Sequence, residues 1–302
     1  MKIAVLIPCY NEALSIGKVV SDFRREIPNA EIHVYDNNST DDSASIAREF
    51  GAIIHLSPQQ GKGFVVRQMF REVDADVYIM VDADDTYPAE DVHKLIKPIV
   101  DGEADMVNGD RLTSTYYDEN KRPGHNFGNS LVCFLIRVLW GVRVHDVMTG
   151  YRAFSRFFIK MCPVLSSGFE IETEMTIHTI DKRMALKEIP IGYRDRQANN
   201  PSKLNTLSDG VRVLRTIFNL FVFYRPGLFF SIVGTIAMIV SVSMFGPIML
   251  EYLKTGLVPR QPTLIVSGFF AIASLLSFAC GLLLNASKKA SDQMFELMAA
   301  RA

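Results

Sequence analysis

The stretch VDADDTYP, residues 81–88, places three aspartates directly after an apolar run. Two of them, Asp82 and Asp84, are one residue apart and supply the hard oxygen ligands that Mg²⁺ and Mn²⁺ prefer. A cation held there would also attract a phosphate. The alternative is an ordinary polar turn in which Asp85 or Thr86 begins a helix. Because the segment alone leaves both interpretations open, the surrounding elements must decide between them.

Strands and helices alternate through about the first 110 residues. Apolar runs such as KIAVLIPC and VYIMVDADD predict strands, and segments with helical spacing lie between them. This order predicts an α/β fold with a mostly parallel sheet and helices on both of its faces. Polar segments (PCYNE, DNNSTDD, DADD and GDR) stand at the carboxyl ends of these strands. Ligands bind beyond such ends, so these segments are expected to line one crevice.

Composition excludes several classes of function. The 302-residue chain has a formal net charge of −1 and lacks the basic footprint of a nucleic-acid-binding protein. Its four cysteines form no CxxC pair, which favours a reducing compartment over a disulfide framework or a zinc site. No GxGxxG follows the first strand, which argues against a dinucleotide-dependent oxidoreductase. The short apolar run at the N-terminus predicts a strand and not a signal peptide.

Two long uncharged segments in the C-terminal quarter predict transmembrane helices at 227–250 and 264–285. Lysine and arginine residues precede the first segment and follow the second, so the positive-inside rule puts both flanks in the cytoplasm. Residues 1–204 would then form a cytoplasmic domain, and residues 286–302 a cytoplasmic tail.

Residues 205–226, just before the first of these segments, alternate arginine with large apolar side chains at helical spacing. The pattern is typical of an amphipathic juxtamembrane helix in the bilayer interface. An ordinary helix that faces a protein core is the alternative.

Eight short segments occur in an order that is typical of one enzyme family. They are IPCYNEALSI, VYDNNSTDDS, GKGFVVRQM, VDADDTYP, NGDR, DVMTGYRAF, GFEIETEM and YRDRQANNPSK. Together they resemble the inverting family-2 glycosyltransferases of the GT-A fold, a Rossmann-like architecture. The closer resemblance is to the branch that makes polyprenyl-phosphate sugars, which includes dolichol-phosphate mannosyltransferase and bacterial undecaprenyl-phosphate glucosyl- and N-acetylglucosaminyltransferases. The two C-terminal spans suit the bacterial members.

This resemblance implies a reaction, its substrates and a place in the cell. A hexose such as glucose or N-acetylglucosamine would pass from a UDP-sugar to polyprenyl (undecaprenyl) phosphate at the cytoplasmic face of the bacterial inner membrane. The product would serve the modification of cell-surface glycans. Relatives suggest a homo-oligomer, and the small residues of the spans permit helix packing. The alternative is a glycosyltransferase that uses a hydroxyl group of a lipid or a glycan as its acceptor.

The resemblance also assigns the aspartates and their neighbours. Mg²⁺ or Mn²⁺ on Asp82 and Asp84 would neutralise the diphosphate leaving group, and Asp85 would begin the following helix. Many relatives carry a glutamine that contacts metal or phosphate where this chain has Thr86. Asp146 is a further catalytic candidate, open between a general base, a sugar anchor and a partner for Arg152.

Two sets of binding residues follow from the same resemblance. The nucleotide-sugar set lies at strand ends and helix starts and comprises Pro8, Tyr10, Asn11, Glu12, Asp36, Asn38, Lys62, Asp82, Ala83, Asp84 and Arg111. The acceptor-phosphate set is basic or hydroxylic and comprises Arg122, Arg194, Arg196, Ser202 and Lys203. A phosphate monoester is already largely anionic near pH 7, so it needs orientation and charge balance more than a base.

Some members of these sets have an ordinary structural role as the alternative. Asp36 could be a turn aspartate, Lys62 a solvated lysine and Glu12 a helix cap. Each arginine could form a surface ion pair instead of gripping phosphate.

Overall fold

The computed structural model describes residues 1–112, 125–194, 215 and 217–301, apart from the side chains of 125–127. The chain divides into two compact units, Met1–Ile217 and Phe218–Ala300. A sheet covered by helices forms the first unit, and a helical hairpin forms the second. The predicted domain boundary at residue 204 lies outside the described residues.

The described part of the first unit contains a seven-stranded sheet in the order β3-β2-β1-β4-β6-β5-β7. Its strands are β1 Ile3–Cys9, β2 Glu31–Asp36, β3 Ile53–Leu56, β4 Val77–Met80, β5 Met106–Asp110, β6 Arg152–Ser155 and β7 Leu186–Pro190. Neighbouring strands are parallel except at β6, which runs antiparallel to β4 and β5. The predicted mostly parallel sheet is confirmed, whereas the reversed strand β6 was not predicted.

Helices connect the strands, and in the first 110 residues they follow the predicted alternation. They are α1 Ile16–Glu26, α2 Ser43–Glu49, α3 Lys62–Glu72, α4 Val92–Val100, α5 His125–Trp140, α6 Arg156–Met161 and α7 Ile171–Asp181. In α1 the apolar residues Ile16, Val19, Val20 and Phe23 are buried, because three- and four-residue spacings place them on one face. That face packs into the main core beside β1 and β4.

The two central strands, β1 and β4, make the framework of the site rigid. Every residue of β4 is buried, and Ala4, Val5, Leu6 and Ile7 of β1 are 0% exposed. A strand covered on both faces needs such a continuous apolar sequence. Side chains that follow the carboxyl ends of these strands therefore start from a fixed backbone.

Aromatic rings anchor the reversed strand. Phe154 of β6 is 0% exposed and stacks on Phe158 of α6 with ring centroids 4.8 Å apart. Phe70 of α3 packs edge-on against Phe154 at 5.6 Å. The Ser155 hydroxyl caps α6 by accepting a hydrogen bond from the Phe158 N–H at 3.0 Å.

The second unit contains two long helices, α8 Pro226–Thr255 and α9 Gln261–Ala299. Each contains an apolar 18-residue stretch, with mean hydropathies of 2.2 in α8 and 2.1 in α9. Both are candidate membrane spans by length and composition. They contain the predicted segments 227–250 and 264–285 and extend beyond them, α9 continuing through most of 286–302. Before α8, residues 217–224 are helical, while most of the rest of the predicted amphipathic helix at 205–226 lies outside the described residues.

Small residues at seven-residue spacing form the contact between α8 and α9. The buried positions include Gly234 and Ser241 on α8, and Ser267 and Ser274 on α9. Ser241 Oγ donates to the Ser267 carbonyl at 2.8 Å, and Ser274 Oγ donates to the Gly234 carbonyl at 2.7 Å. Small side chains let the two backbones approach closely enough for these bonds.

The aromatic anchor of β6 generates a stability prediction. Phe154→Ala should destabilise the first unit by about 3 to 5 kcal/mol, because a buried ring is replaced by a cavity. The chain's single tryptophan, Trp140, is 9% exposed and lies in this unit, so its fluorescence during urea denaturation follows the relevant transition. Val100→Ala, at a position 47% exposed, is the matched control and should change stability by less than about 0.5 kcal/mol. Equal effects of the two variants would contradict the anchoring role.

Candidate active site

The aspartate turn follows β4 directly, and each of its carboxylates has a different partner. Asp84 is buried, and its Oδ1 accepts hydrogen bonds from Thr86 Oγ1 at 2.7 Å and Thr86 N at 3.2 Å. Thr86 therefore orients Asp84 from the position where many relatives carry glutamine. Asp85 has a φ of 60° and pairs with Lys18 at 2.6 Å. The prediction that Asp85 begins a helix is wrong, since a 3₁₀ turn begins only at Ala89.

Asp82 contacts a buried lysine. Its Oδ1 lies 2.5 Å from Nζ of Lys62, the first residue of α3, and the same amine lies 2.6 Å from Oε1 of Glu172 in α7. Burial would lower the pKa of Lys62, but the carboxylates of Asp82 and Glu172 outweigh it and raise the pKa above its ordinary value. Lys62 is therefore a charged, nearly inaccessible amine and not a solvated lysine.

Gly150 packs against the other oxygen of Asp82. A Cβ atom added at Gly150 would lie 2.0 Å from Asp82 Oδ2, closer than any nonbonded contact allows. The loop before β6 thus presses its backbone onto the carboxylate, and it does so only because residue 150 has no side chain.

The donor set of this turn fits a divalent cation whose coordination is completed by a substrate. Asp82 already attracts a positive group, and both aspartates offer the oxygen ligands of Mg²⁺ and Mn²⁺. Among the described residues, no group of three or more His, Cys, Asp or Glu side chains could hold a metal ion. Mg²⁺ commonly takes one or two carboxylates together with substrate phosphates and water. Two aspartates, with no third such side chain beside them in the described part of the chain, match that pattern.

The carboxyl end of β2 carries Asp36, which is 6% exposed. Its Oδ2 accepts a bond from Ser39 N at 3.3 Å, whereas its Oδ1 is buried and has no hydrogen-bond partner among the described residues. An unpaired buried carboxylate oxygen is costly, so a donor supplied by a ligand would stabilise it. This arrangement suits a ligand hydroxyl or N–H group.

Two asparagines connect the loops at this end of the sheet. Asn11 and Asn38 adopt left-handed backbone conformations, with φ values of 52° and 62°. Asn11 Oδ1 accepts from Thr40 N at 2.7 Å, and Asn38 Nδ2 donates to the Pro58 carbonyl at 2.9 Å. Tyr10, which precedes Asn11 in the chain, is 39% exposed. The two asparagines therefore hold the loops after β1, β2 and β3 in place.

Asn37 connects this end to Lys62, and the sequence motifs did not single it out. Its Nδ2 donates to the carbonyls of Ser57 and Gln59 at 2.9 and 2.7 Å, and its Oδ1 accepts from Gly61 N at 2.8 Å. The polar segment DNNST indicated that the loop after β2 could bind a ligand. Only the structure shows that Asn37 makes hydrogen bonds that hold the loop before Lys62.

The start of α1 joins β1 to the aspartate turn. The Glu12 carbonyl accepts from the N–H groups of Ser15 and Ile16, so Glu12 begins the helix through its backbone. Ser15 Oγ donates to the Ala83 carbonyl at 2.7 Å and lies 3.3 Å from Glu12 Oε2. Pro8 lies in β1 opposite Tyr35 of β2. Glu12 and Ala83 are thus linked through one serine.

A buried ion pair occupies the carboxyl end of β5. Arg111 Nε and Nη2 lie 2.7 and 3.0 Å from the two oxygens of Asp146, which is 0% exposed. Burial would lower the pKa of Arg111, but Tyr87 and Asp146 outweigh it and raise the pKa. Tyr87 OH lies 3.4 Å from Arg111 Nη1 and accepts from Gly150 N at 2.8 Å. The pair is therefore connected through Tyr87 to the glycine that packs on Asp82.

Asp146 is not the hydrogen-bond partner of Arg152. Arg152 is 0% exposed and donates to the carbonyls of Val147, Thr149 and Glu172. Burial lowers its pKa to about 10. Of the three roles open for Asp146, pairing with Arg152 is wrong, because its carboxylate grips Arg111 with both oxygens.

Of the acceptor-phosphate set, only Arg194 lies among the described residues. Its backbone N–H donates to the Thr86 carbonyl at 2.9 Å, and its guanidinium lies 3.3 Å from Glu90 and 3.9 Å from Asp85. It is therefore next to the aspartate turn and half-exposed. The other four residues of the set, Arg122, Arg196, Ser202 and Lys203, lie outside the described residues.

Several known proteins are similar to this chain in sequence. Residues 4–161 match the profile described as Glycosyl transferase family 2. "Protein RfbJ" of Shigella flexneri is 51% identical over 124 residues, which cover 41% of this chain and 95% of that protein. The "Dolichyl-phosphate hexose transferase" of Haloferax volcanii is 31% identical over 215 residues, 71% of this chain and 92% of that protein.

A solved structure shows the same fold. Glucosyl-3-phosphoglycerate synthase from Mycobacterium tuberculosis, in complex with Mn²⁺, UDP-glucose and phosphoglyceric acid, has a TM-score of 0.60 at 24% identity. The match covers 72% of this chain and 79% of that one. With the family profile spanning more than half of the sequence, the motif resemblance is confirmed: the chain belongs to glycosyl transferase family 2.

Proposed function

We propose that this glycosyltransferase moves a hexose from a UDP-sugar to polyprenyl phosphate, with Mg²⁺ or Mn²⁺ as cofactor. The observation that carries the proposal is the aspartate turn, which offers two carboxylates beside the buried Lys62. Tyr87 and Gly150 connect this turn to the buried pair of Arg111 and Asp146. The names of relatives support the acceptor, among them a dolichyl-phosphate hexose transferase and an undecaprenyl-phosphate mannosyltransferase. The structural neighbour that binds Mn²⁺ and UDP-glucose supports the donor.

At the donor end, each group acts on one part of the nucleotide-sugar. The unpartnered Asp36 oxygen would accept a hydrogen bond from the ribose or the base. Asp82 and Asp84 would hold the cation, which neutralises charge on the leaving diphosphate. The charged amine of Lys62 lies beside Asp82, within reach of the same diphosphate.

At the acceptor end, charge balance replaces base catalysis. Arg194 lies beside the aspartate turn, and we infer that Arg122, Arg196, Ser202 and Lys203 join it around the acceptor phosphate. Guanidinium groups grip phosphate oxygens bidentately. Asp146 is fully buried against Arg111, so we assign it as the residue that orients Arg111 rather than as a proton acceptor.

The two long apolar helices suit an acceptor that stays in a bilayer. We propose that α8 and α9 anchor residues 1–204 at the cytoplasmic face of a bacterial inner membrane, with 205–226 as the juxtamembrane helix. A polyprenyl chain leaves the bilayer only at a large cost in hydrophobic free energy, so its phosphate must be met at the surface. Assembly as a homo-oligomer is part of the same proposal.

The metal role predicts the effect of removing one charge at a time. Asp82→Asn or Asp84→Asn should lower kcat by about 10² or more, because charge on the leaving diphosphate would lose its stabilisation. UDP release from a UDP-sugar in the presence of polyprenyl phosphate measures this rate. EDTA should abolish the activity of the unsubstituted protein, and Mn²⁺ or Mg²⁺ should restore it. Full activity of both variants in chelator would exclude the metal.

The contact between Gly150 and Asp82 predicts a backbone effect on the same site. Gly150→Ala should weaken Mn²⁺ binding and lower activity by about tenfold or more, since the added Cβ displaces the Asp82 carboxylate. Gly128→Ala is the control, because a Cβ there meets nothing within 4 Å. Calorimetric titration with Mn²⁺ and the UDP-release assay would both be run on the two variants. Equal behaviour would show that the close contact does not position Asp82.

The acceptor assignment predicts a separation between the two substrates. Arg122→Ala or Arg196→Ala should raise KM for polyprenyl phosphate, or lower kcat, by about tenfold, because the anionic acceptor must approach an anionic donor. Lysine at either position should restore the acceptor kinetics only partly, since it keeps the positive charge but lacks the planar guanidinium that binds phosphate through two N–H groups. UDP-sugar affinity, measured on the same variants, should change little. Unchanged acceptor kinetics, or an equal loss of donor binding, would favour the hydroxyl-acceptor alternative.

A further inference from the structure

The amine of Lys62 is shared between a carboxylate of the proposed metal site and a carboxylate outside it. Nζ lies 2.5 Å from Asp82 Oδ1 and 2.6 Å from Glu172 Oε1. The Lys62 and Glu172 side chains are 9% and 6% exposed, whereas that of Asp82 is 28% exposed. The amine therefore sits between an interior anion and one that faces the crevice. No sequence motif assigned a role to Glu172.

The backbone around Lys62 is held tightly on both sides. Added Cβ atoms at Gly61 and Gly63 would lie 2.2 Å from the carbonyl oxygens of Ser167 and Ser166. Gly63 N also donates to the Ser167 carbonyl at 3.1 Å. Because this backbone is pinned, any change in the partners of Lys62 must come from its side chain.

Two carboxylates hold the segment against which these glycines pack. Glu174 accepts from the N–H groups of Leu165 and Ser166 at 2.9 and 2.7 Å. Glu170 accepts from Ser167 N and Gly168 N at 3.3 and 3.1 Å. Of the three glutamates at the start of α7, only Glu172 is directed at the lysine.

Charge decides what happens when a divalent cation reaches Asp82. The ammonium and the cation are both positive and repel each other at one carboxylate, and the backbone of Gly150 covers its Oδ2. The cation therefore competes with the amine for Asp82 Oδ1. Glu172 can retain the amine, because its Oε2 is buried and has no hydrogen-bond partner among the described residues. An ammonium group has three N–H donors, so Lys62 can bond to Glu172 and still donate to a phosphate oxygen.

We propose that Lys62 is a built-in counter-ion of Asp82 that the divalent cation displaces, and that Glu172 is the positioning residue that then holds the amine toward the donor diphosphate. The inference rests on the proposed function, since it requires a cation and a diphosphate at this site. It makes their binding cooperative: the cation alone competes with Lys62, whereas with the diphosphate present the displaced amine has a new anionic partner.

Mn²⁺ affinity tests the counter-ion. In full-length protein in detergent, Lys62→Met should bind Mn²⁺ about tenfold more tightly than the unsubstituted protein when no UDP is present, and UDP about tenfold more weakly when Mn²⁺ is present. Lys62→Arg keeps the charge and should keep the weak binding of Mn²⁺ alone. Lys97→Met, at an exposed lysine on α4, is the matched control and should change neither affinity. Isothermal titration calorimetry measures both.

The direction of the change separates this role from simple damage. A misfolded site binds Mn²⁺ more weakly, whereas removal of a competing cation tightens it. Glu172→Gln should bind Mn²⁺ alone no more tightly than the unsubstituted protein, yet bind UDP with Mn²⁺ about tenfold more weakly, because the amine has lost its anchor. Trp140 fluorescence would report whether each variant keeps the fold.

Two failures are distinguishable. If the unsubstituted protein binds neither Mn²⁺ nor UDP, the proposed function itself is wrong. If it binds both, but Lys62→Met leaves the affinity for Mn²⁺ alone unchanged or weaker, the counter-ion role is wrong. Unchanged UDP affinity in Glu172→Gln would remove the positioning role of Glu172.

Discussion

Negative charge gathered at the end of a buried strand is the constraint on which the site depends. An ionised carboxylate taken from water into a protein needs hydrogen bonds or an opposite charge, or its burial costs several kcal/mol. Three aspartates within four residues meet this requirement in different ways. Asp82 contacts the Lys62 amine, Asp84 accepts two bonds from Thr86, and Asp85 pairs with Lys18. Asp82 and Asp85 thereby contact two other elements, α3 and α1, whereas Asp84 is satisfied within the turn itself.

The reversed strand β6 brings a loop to the same end of the sheet as the aspartates. Because β6 runs antiparallel to β4, its first residue, Arg152, pairs with Met80, the last residue of β4. The loop that leads into β6 therefore lies at the edge of the sheet where the parallel strands have their carboxyl ends. This places Gly150 on Asp82 and brings Asp146 to Arg111. A uniformly parallel sheet would put that loop at the opposite edge.

Local patterns in the sequence were sufficient for part of this site. Alternating apolar and polar segments predicted which side chains stand at the ends of parallel strands, including Asp36 and the Asp82–Asp84 pair. Such predictions succeed because the alternation of strands and helices along the chain indicates a parallel sheet. In a parallel sheet, ligands bind beyond the carboxyl ends of the strands. Strand β6 was missed because four residues, RAFS, carry too little periodicity to be distinguished from a loop.

Local sequence patterns could not predict which charged side chains pair with each other. Lys62 and Glu172 are 110 positions apart in the sequence, and nothing local indicates that they meet. Asp85 looked like the start of a helix, but its left-handed backbone and its ion pair with Lys18 depend on how α1 packs beside the turn. Most of the predicted acceptor residues lie outside the described residues, and for them the sequence is the basis of the assignment.

The seven-residue spacing between α8 and α9 has a mechanical consequence. Ser241 and Ser274 each bond to a carbonyl of the other helix, and both bonds require one register. A slide of one residue would break both bonds, because each hydroxyl would face a different carbonyl. The two serines therefore fix the axial register of the hairpin, so that the ends of α8 and α9 are held at set depths relative to each other.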